Sequence, residues 1–200
     1  TLFNGQGGEY EVTLSDVAKK SASVQVTAFN PTNRTPAFKT LLGQVMSKGD
    51  RMDYVIQKAV ELGVSEIQLL TSERCEMRLK YDRDQKKIDH WQGIAIAACE
   101  QCGMNIVPTI HAPVSLDKWL VSELPATRLV LALNKEKLDV LANATPNIAL
   151  LIGPEGGLSE AEITTANEHG FISWCIGERV LRTETAPVVA LSILNYNLVI

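Results

Sequence analysis

The chain has 200 residues, a formal net charge of −4 and 46% hydrophobic residues. That suffices for a core of normal size in one large domain, or one domain with a small appendage. No apolar run reaches the roughly 20 residues of a membrane-spanning helix, no secretory signal opens the chain, and the acidic balance does not suit a protein that grips nucleic acid over its whole surface.

Period-2 alternation predicts strands over residues 10–14 and 23–29. Asn30 to Pro36 is polar and Pro-bearing and reads as a linker. Two or three strands without a helix bury no core of their own. They read as the remainder of a small β-barrel. The start at Thr1, inside a strand-like pattern, leads to the expectation that earlier strands precede it.

Beyond the linker, strands and helices alternate. Strands are predicted over 38–45, 67–70, 107–110, 128–133, 148–152 and 173–176. Helices are predicted over 50–62, 84–102, 115–121 and 159–169, with a last one from Ala186. Asp50 is a plausible N-cap of the first helix and Gly63 its stop. Val55, Ala59 and Leu62 form its apolar face, and Lys58 lies on the solvent side. The long helix would bury Ile88, Trp91, Ala95, Ala98 and Cys102. The wholly apolar strand 148–152 belongs in the middle of a parallel sheet. The pattern as a whole is α/β, with a mostly parallel sheet.

Charge is unevenly spread. Residues 1–100 carry thirteen Lys/Arg and thirteen Asp/Glu, and residues 101–200 carry six and ten. Arg74 to Lys87 holds six basic residues against three acidic ones, an excess suited to phosphates or to an ordinary solvated face. The cysteines are Cys75, Cys99, Cys102 and Cys175. Cys99-Glu100-Gln101-Cys102 has metal-like spacing but no second Cys/His pair to complete four ligands. Reduced, buried thiols in a cytoplasmic protein are expected, and no metal.

Two segments carry the chemistry. Ile152-Gly153-Pro154-Glu155-Gly156-Gly157-Leu158-Ser159 follows a buried strand and precedes a helix. Ligands of open α/β sheets bind at such strand ends, and glycines let a ligand approach the backbone closely. Ser159 with Glu162 forms a capping box, and Leu158 with Ile163 is spaced for a hydrophobic staple. The segment is neither GxxxxGK[ST] nor GxGxxG. Ile176 to Pro187 also joins a short strand to a helix, with Thr183 or Thr185 as N-cap. Surface ion pairs among Arg179, Arg182 and Glu184 are the plainer reading of its charges. Alone, the two loops point to a small-molecule pocket without a named ligand.

Five strings, Gly49–Lys58, Ser72-Glu73-Arg74-Cys75, His90–Gln101, Ile152–Ser159 and Arg179–Ala186, resemble the RsmE-type rRNA (uracil-N3)-methyltransferases in the same order. The resemblance implies a SPOUT α/β domain over 36–200 with a C-terminal trefoil knot. Before it, over 1–35, it implies part of a PUA-like β-barrel that binds RNA. Knots are exceptions to threading rules, so no pattern could supply one. It further implies a homodimer that acts on a uridine of 16S rRNA in the assembled small ribosomal subunit. By position, S-adenosyl-L-methionine would meet Leu133, Gly153, Pro154, Glu155, Gly156, Ile176, Gly177, Val180, Leu181, Arg182, Thr183 and Ala186. RNA would meet Arg74, Arg78 and Lys80. Glu184 is the expected base for the N3 proton, and Arg182 the expected partner for charge building on uracil O2 and O4. Family members commonly carry Arg where this chain has Met104. Related enzymes acting on a tRNA ribose, and a non-catalytic RNA-binding protein of the same fold, are the alternatives.

Overall fold

Apolar runs four to six residues long, buried on both faces, form the centre of the molecule. In the computed structural model, which describes residues 1–77, 81–133 and 145–198, Ile148 to Leu151 and Leu42 are wholly buried. They belong to two central strands, β7 (Asn147–Ile152) and β3 (Lys39–Val45), paired in parallel. Around them stand β4 (Glu66–Thr71), β5 (Thr109–Ser115), β6 (Thr127–Leu131) and β8 (Ile172–Trp174). The sheet order is β5-β4-β3-β7-β6-β8, and every pairing is parallel. From β3 the chain builds outward to β4 and β5. The later strands lie on the other side, so the crevice beside β3 and β7 is a topological switch point, where α/β sheets place ligands.

Helices α1 (Arg51–Glu61), α2 (Tyr81–Cys102), α3 (Leu116–Leu120), α4 (Glu160–Glu168) and α5 (Thr185–Leu198) connect the strands. Val55 and Ala59 face the core as expected, and Leu62 is half-buried. Lys58 pairs with Glu61 at 2.7 Å on the outer side. Gly63 ends α1 with φ +78°, and a Cβ there would lie 2.4 Å from Pro36 Cγ. Asp50 sits at the N-cap position without a side-chain capping bond, contrary to the sequence reading, so the first N–H groups of α1 stay open. Ser159 forms the expected capping box with Glu162.

Three expectations need correction. Strand β5 runs to Ser115 rather than stopping at Ile110. It is an edge strand, where Pro113 costs no central ladder bond. Strands β6 and β8 stop earlier than the apolar runs do, which leaves Leu133 and Ile176 beyond the strand ends, while the Ala132 N–H still donates to Trp174 O at 3.3 Å. On α2 the buried cysteine is Cys99, not Cys102, which is exposed. Burial pushes the Cys99 thiol up to about 11, with Cys102 and Glu100 adding to it. Met104 is buried.

Ahead of this sheet, β1 (Glu9–Val17) and β2 (Ala22–Asn30) form a separate antiparallel hairpin. Asn105, almost fully buried, ties the segment after it to the α/β layer. It accepts from the Arg34 N–H at 3.2 Å and donates to Thr32 O at 2.6 Å. Glu9 is held below the usual carboxylate range by Arg34.

Gly43 in β3 makes room for the Trp119 ring. A Cβ there would lie 2.4 Å from Trp119 Cη2, and Trp119 is itself buried against Phe171 at 5.6 Å between centroids. Gly43→Ala is expected to destabilise by about 1–3 kcal/mol through overpacking, roughly 2–4 °C of Tm per kcal/mol at this length. Gly93→Ala, on the exposed side of α2 with open space around it, is expected to stabilise by about 0.5–1 kcal/mol. Thermal melts of the two variants check both signs.

Candidate functional site

Three neighbouring strands end at one cavity of about 320 Å³. Ala132 and Leu133 follow β6, Gly153 and Pro154 follow β7, and Ile176 and Gly177 follow β8, and all six line it. Leu131, Leu158, Ile163 and Trp174 give it apolar depth, and Val180, Leu181, Thr183 and Ala186 close it. Leu133 and Val180 stay 62% and 82% exposed, so large apolar side chains stand at its mouth.

The first loop is built tightly. Gly157, at φ +68°, donates its N–H to Pro154 O at 2.9 Å. A Cβ on Gly153 would meet Leu158 N at 2.9 Å and Leu158 Cγ at 3.1 Å. Leu158 cannot easily retreat, because Ser159 beside it is held by the capping box.

The second loop is held by a buried polar chain. Gln44, at the end of β3 and wholly buried, donates from Nε2 to Val45 O at 2.9 Å and to Thr183 Oγ1 at 3.2 Å. Thr183 Oγ1 in turn donates to Gly153 O at 2.8 Å. One hydroxyl therefore joins β3, the β7 loop and the loop before α5. Thr183 does not cap α5, whose first N–H groups at Thr185 and Ala186 donate to Arg182 O.

Arg51 at the start of α1 reaches both loops. Its Nη1 pairs with Glu155 Oε1 at 2.6 Å, and its Nε lies 3.8 Å from Glu184 Oε2. The Lys48 N–H also donates to Glu155 Oε1 at 3.2 Å. Lys48 Nζ is 2.6 Å from Glu76, whose carboxyl it holds below the usual range. Arg74 Nη1 donates to Gly156 O at 3.0 Å, and the Glu73 N–H donates to Glu162 Oε1 at 2.7 Å. The turn at 72–75 thus braces the first loop from outside.

Nine of the twelve residues expected at the cofactor line the cavity: Leu133, Gly153, Pro154, Ile176, Gly177, Val180, Leu181, Thr183 and Ala186. Glu155, Gly156 and Arg182 do not, and their contacts run outward to Arg51, to Arg74 and, at 4.0 Å, to Glu184. Glu184 is four-fifths buried, and no hydrogen-bond donor among the described residues reaches its Oε2. Arg182 is exposed beside it. Arg78 and Lys80 lie outside the described residues. Sequence reasoning missed Gln44 and gave no site role to Arg51 or to Arg179, the charged residue on the cavity wall. Gln44 leaves one signal, an amide inside an apolar strand.

A parallel sheet with a glycine-turned, mostly apolar cavity at the carboxyl ends of three neighbouring strands defines an α/β protein that binds a small organic cofactor between two strand-end loops. The RNA methyltransferase domain family matches residues 33–195. The ribosomal RNA small subunit methyltransferase E of Buchnera aphidicola (from Acyrthosiphon pisum) is 33% identical over 196 residues, 97% of this chain and 78% of that protein. Two solved structures superpose closely. A methyltransferase of Legionella pneumophila with the bound cofactor SAM has TM-score 0.92 and 39% identity, covering 97% of this chain and 81% of that one. The ribosomal RNA small subunit methyltransferase E of Neisseria gonorrhoeae, bound to S-adenosyl methionine, has TM-score 0.89 and 36% identity over the same shares. The chain belongs to the RNA methyltransferase family, among the ribosomal RNA small subunit methyltransferase E proteins.

Proposed function

We propose that this protein transfers the methyl group of S-adenosyl-L-methionine to N3 of a uridine in the 16S rRNA of the assembled small ribosomal subunit. The observation that carries the reading is the cavity between the two loops, in a chain whose close relatives hold S-adenosyl methionine. Its walls fit that group. Leu133, Val180 and Leu181 offer apolar faces for an adenine ring, and the glycine turns bring backbone N–H and C=O groups to its edge. When bound, the cofactor supplies a methyl group on a sulfonium.

The residues around the cavity do the rest. Glu155 and Gly156 shape the first loop, through Arg51 and Arg74. Holding acceptor and donor in line supplies much of the rate. Glu184 takes the N3 proton as N3 takes the methyl group. Its carboxylate, four-fifths buried, is held among the described residues only by long ion pairs, 3.8 Å to Arg51 and 4.0 Å to Arg182, beyond hydrogen-bond length. Arg182 beside it offsets negative charge on the uracil oxygens.

The same reading covers the wider architecture. Residues 36–200 form a SPOUT domain whose C-terminal segment is knotted. The return of Thr183 to Gly153 and Gln44 supports this. Residues 1–35 form part of a PUA-like barrel. The exposed Leu14, Val17, Val26 and Phe29 of the hairpin suit a larger sheet. Arg74, Arg78 and Lys80 meet RNA. The protein works in the cytoplasm as a homodimer, and the exposed Tyr196 on α5 supports the second of these readings. No helix among the described residues is long and apolar enough to cross a membrane.

Incubating small subunits that lack the modification with cofactor, then digesting the rRNA for mass spectrometry, tests the reaction. One N3-methyluridine per subunit is expected. Methylated ribose, or methylation of tRNA instead, would refute it. Thr183→Val, nearly isosteric, removes the link from Gln44 to Gly153 O. A lost buried hydrogen bond of about 1–3 kcal/mol predicts roughly tenfold weaker binding of S-adenosylhomocysteine, read by calorimetry.

A further inference from the structure

The strands of the N-terminal hairpin gain little orientation from packing. Every residue of β2 is exposed, and so is β1 beyond Val12. The angle of the hairpin to the α/β layer is therefore set at its base, and the contacts there converge on one side chain.

Asn105 is 1% exposed. Its Oδ1 accepts the Arg34 N–H at 3.2 Å, its Nδ2 donates to Thr32 O at 2.6 Å, and its backbone O accepts the Gly7 N–H at 2.9 Å. One residue thus grips the chain on both sides of the hairpin, before β1 and after β2. The next two residues extend the grip. Ile106 bridges Gln6, and Val107 donates its N–H to Gly5 O at 3.0 Å. Gly5 has φ +79°, and a Cβ on it would lie 2.9 Å from Val107 Cγ2, a close approach that suits glycine. Arg34 adds an ion pair to Glu9, the first residue of β1. The seat is fastened in turn. Gln92 of α2 donates to Pro108 O at 2.9 Å and accepts the Ile110 N–H at 3.2 Å, which ties the following residues to the helix and to β5. A segment that reads as a linker by composition is a clamped joint.

The clamp matters because the hairpin is long. Nine residues per strand, at about 3.3 Å each, make an arm of roughly 30 Å, and about 10° of rocking at the base would move its tip by about 5 Å. Exposed Lys19 and Lys20 stand at that tip, past Asp16, and can meet phosphates.

We propose that Asn105 is a positioning residue for the RNA substrate: it locks the hairpin at one angle to the α/β layer, so that RNA held on the hairpin lies at a fixed distance from the cofactor cavity. The inference rests on the proposed rRNA methylation, with RNA bound by residues 1–35, and adds what sets that distance.

Two measurements on the full chain test it. In the first, residual dipolar couplings are recorded for the amides of β1 and β2 and for those of β3 to β7. One alignment is expected to fit both sets in the parent, and two to be needed for Asn105→Ala. In the second, turnover is measured on unmodified small subunits. A hairpin that holds its working angle about a tenth of the time raises KM about tenfold. The kcat of Asn105→Ala and its affinity for S-adenosylhomocysteine are expected to match the parent's, the split that marks lost substrate binding rather than a damaged site. Arg34→Ala, which cuts only the surface pair to Glu9, is expected to raise KM by less and serves if Asn105→Ala does not fold. Two alignments in the parent, one in Asn105→Ala, a loss carried by kcat, or parental KM in the variant that folds overturns the proposal. If the parent methylates no small subunits, yet Asn105→Ala needs two alignments and sediments with them more weakly than the parent, the positioning role stands and the reaction assigned above falls.

Discussion

Glu184→Gln is expected to slow single-turnover methyl transfer to small subunits by about 10²–10⁴-fold, the usual contribution of a positioned base. Cofactor binding should not change, because Glu184 is not among the residues that line the cofactor cavity. Glutamine keeps the size of the side chain, but its amide cannot take a proton. It also ends the ion pairs toward Arg51 at 3.8 Å and Arg182 at 4.0 Å. Those pairs are long, and the fold does not hang on them. Loss of rate without loss of Tm is therefore the expected signature. A single-turnover rate equal to the parent's would remove Glu184 from the proton transfer. Arg51→Lys would then show whether the carboxylate acts through position alone. Lysine keeps the charge but loses the planar fork that spans Glu155 and Glu184.

Gly153→Ala should weaken S-adenosylhomocysteine binding by about ten- to hundredfold, the equivalent of roughly 1–3 kcal/mol of overpacking. The added methyl would stand 2.9 Å from Leu158 N, a backbone atom that cannot rotate away. Either the 154–158 loop moves outward or Leu158 is driven into the cavity it lines. The sheet below is untouched, since β7 ends at Ile152, so circular dichroism should match the parent. Calorimetric affinity equal to the parent's would mean that this turn is not the wall of the cofactor site.

Much of the α/β layer was legible because its signals are local. The run Ile148–Ile152, the capping box at Ser159 and the glycine stop at Gly63 each act within a few residues, and each stands where the pattern put it. Boundaries were less legible where tertiary contacts override pattern. Leu133 and Ile176 continue apolar runs but lie beyond the strand ends and line a cavity. Helical spacing put Cys102 in the core, whereas Cys99 occupies that place. Asp50 had the composition of a cap without the geometry of one.

Residue order alone pointed to two loops, each between a strand and a helix, as the candidate site. Glycine turns, caps and apolar strands declare themselves over short windows. The tertiary structure decided how the loops meet. Parallel pairing sets β6, β7 and β8 side by side so that their ends share one cavity. Thr183 finds Gly153 and Gln44 across 30 and 139 residues. Arg51 reaches Glu155 across 104. Such contacts depend on long-range register and on burial of both partners, for which no local spacing carries a signal. That Thr183 and Ala186 line the cavity while Glu184 between them turns toward Arg51 and Arg182 is likewise decided only once the chain is folded.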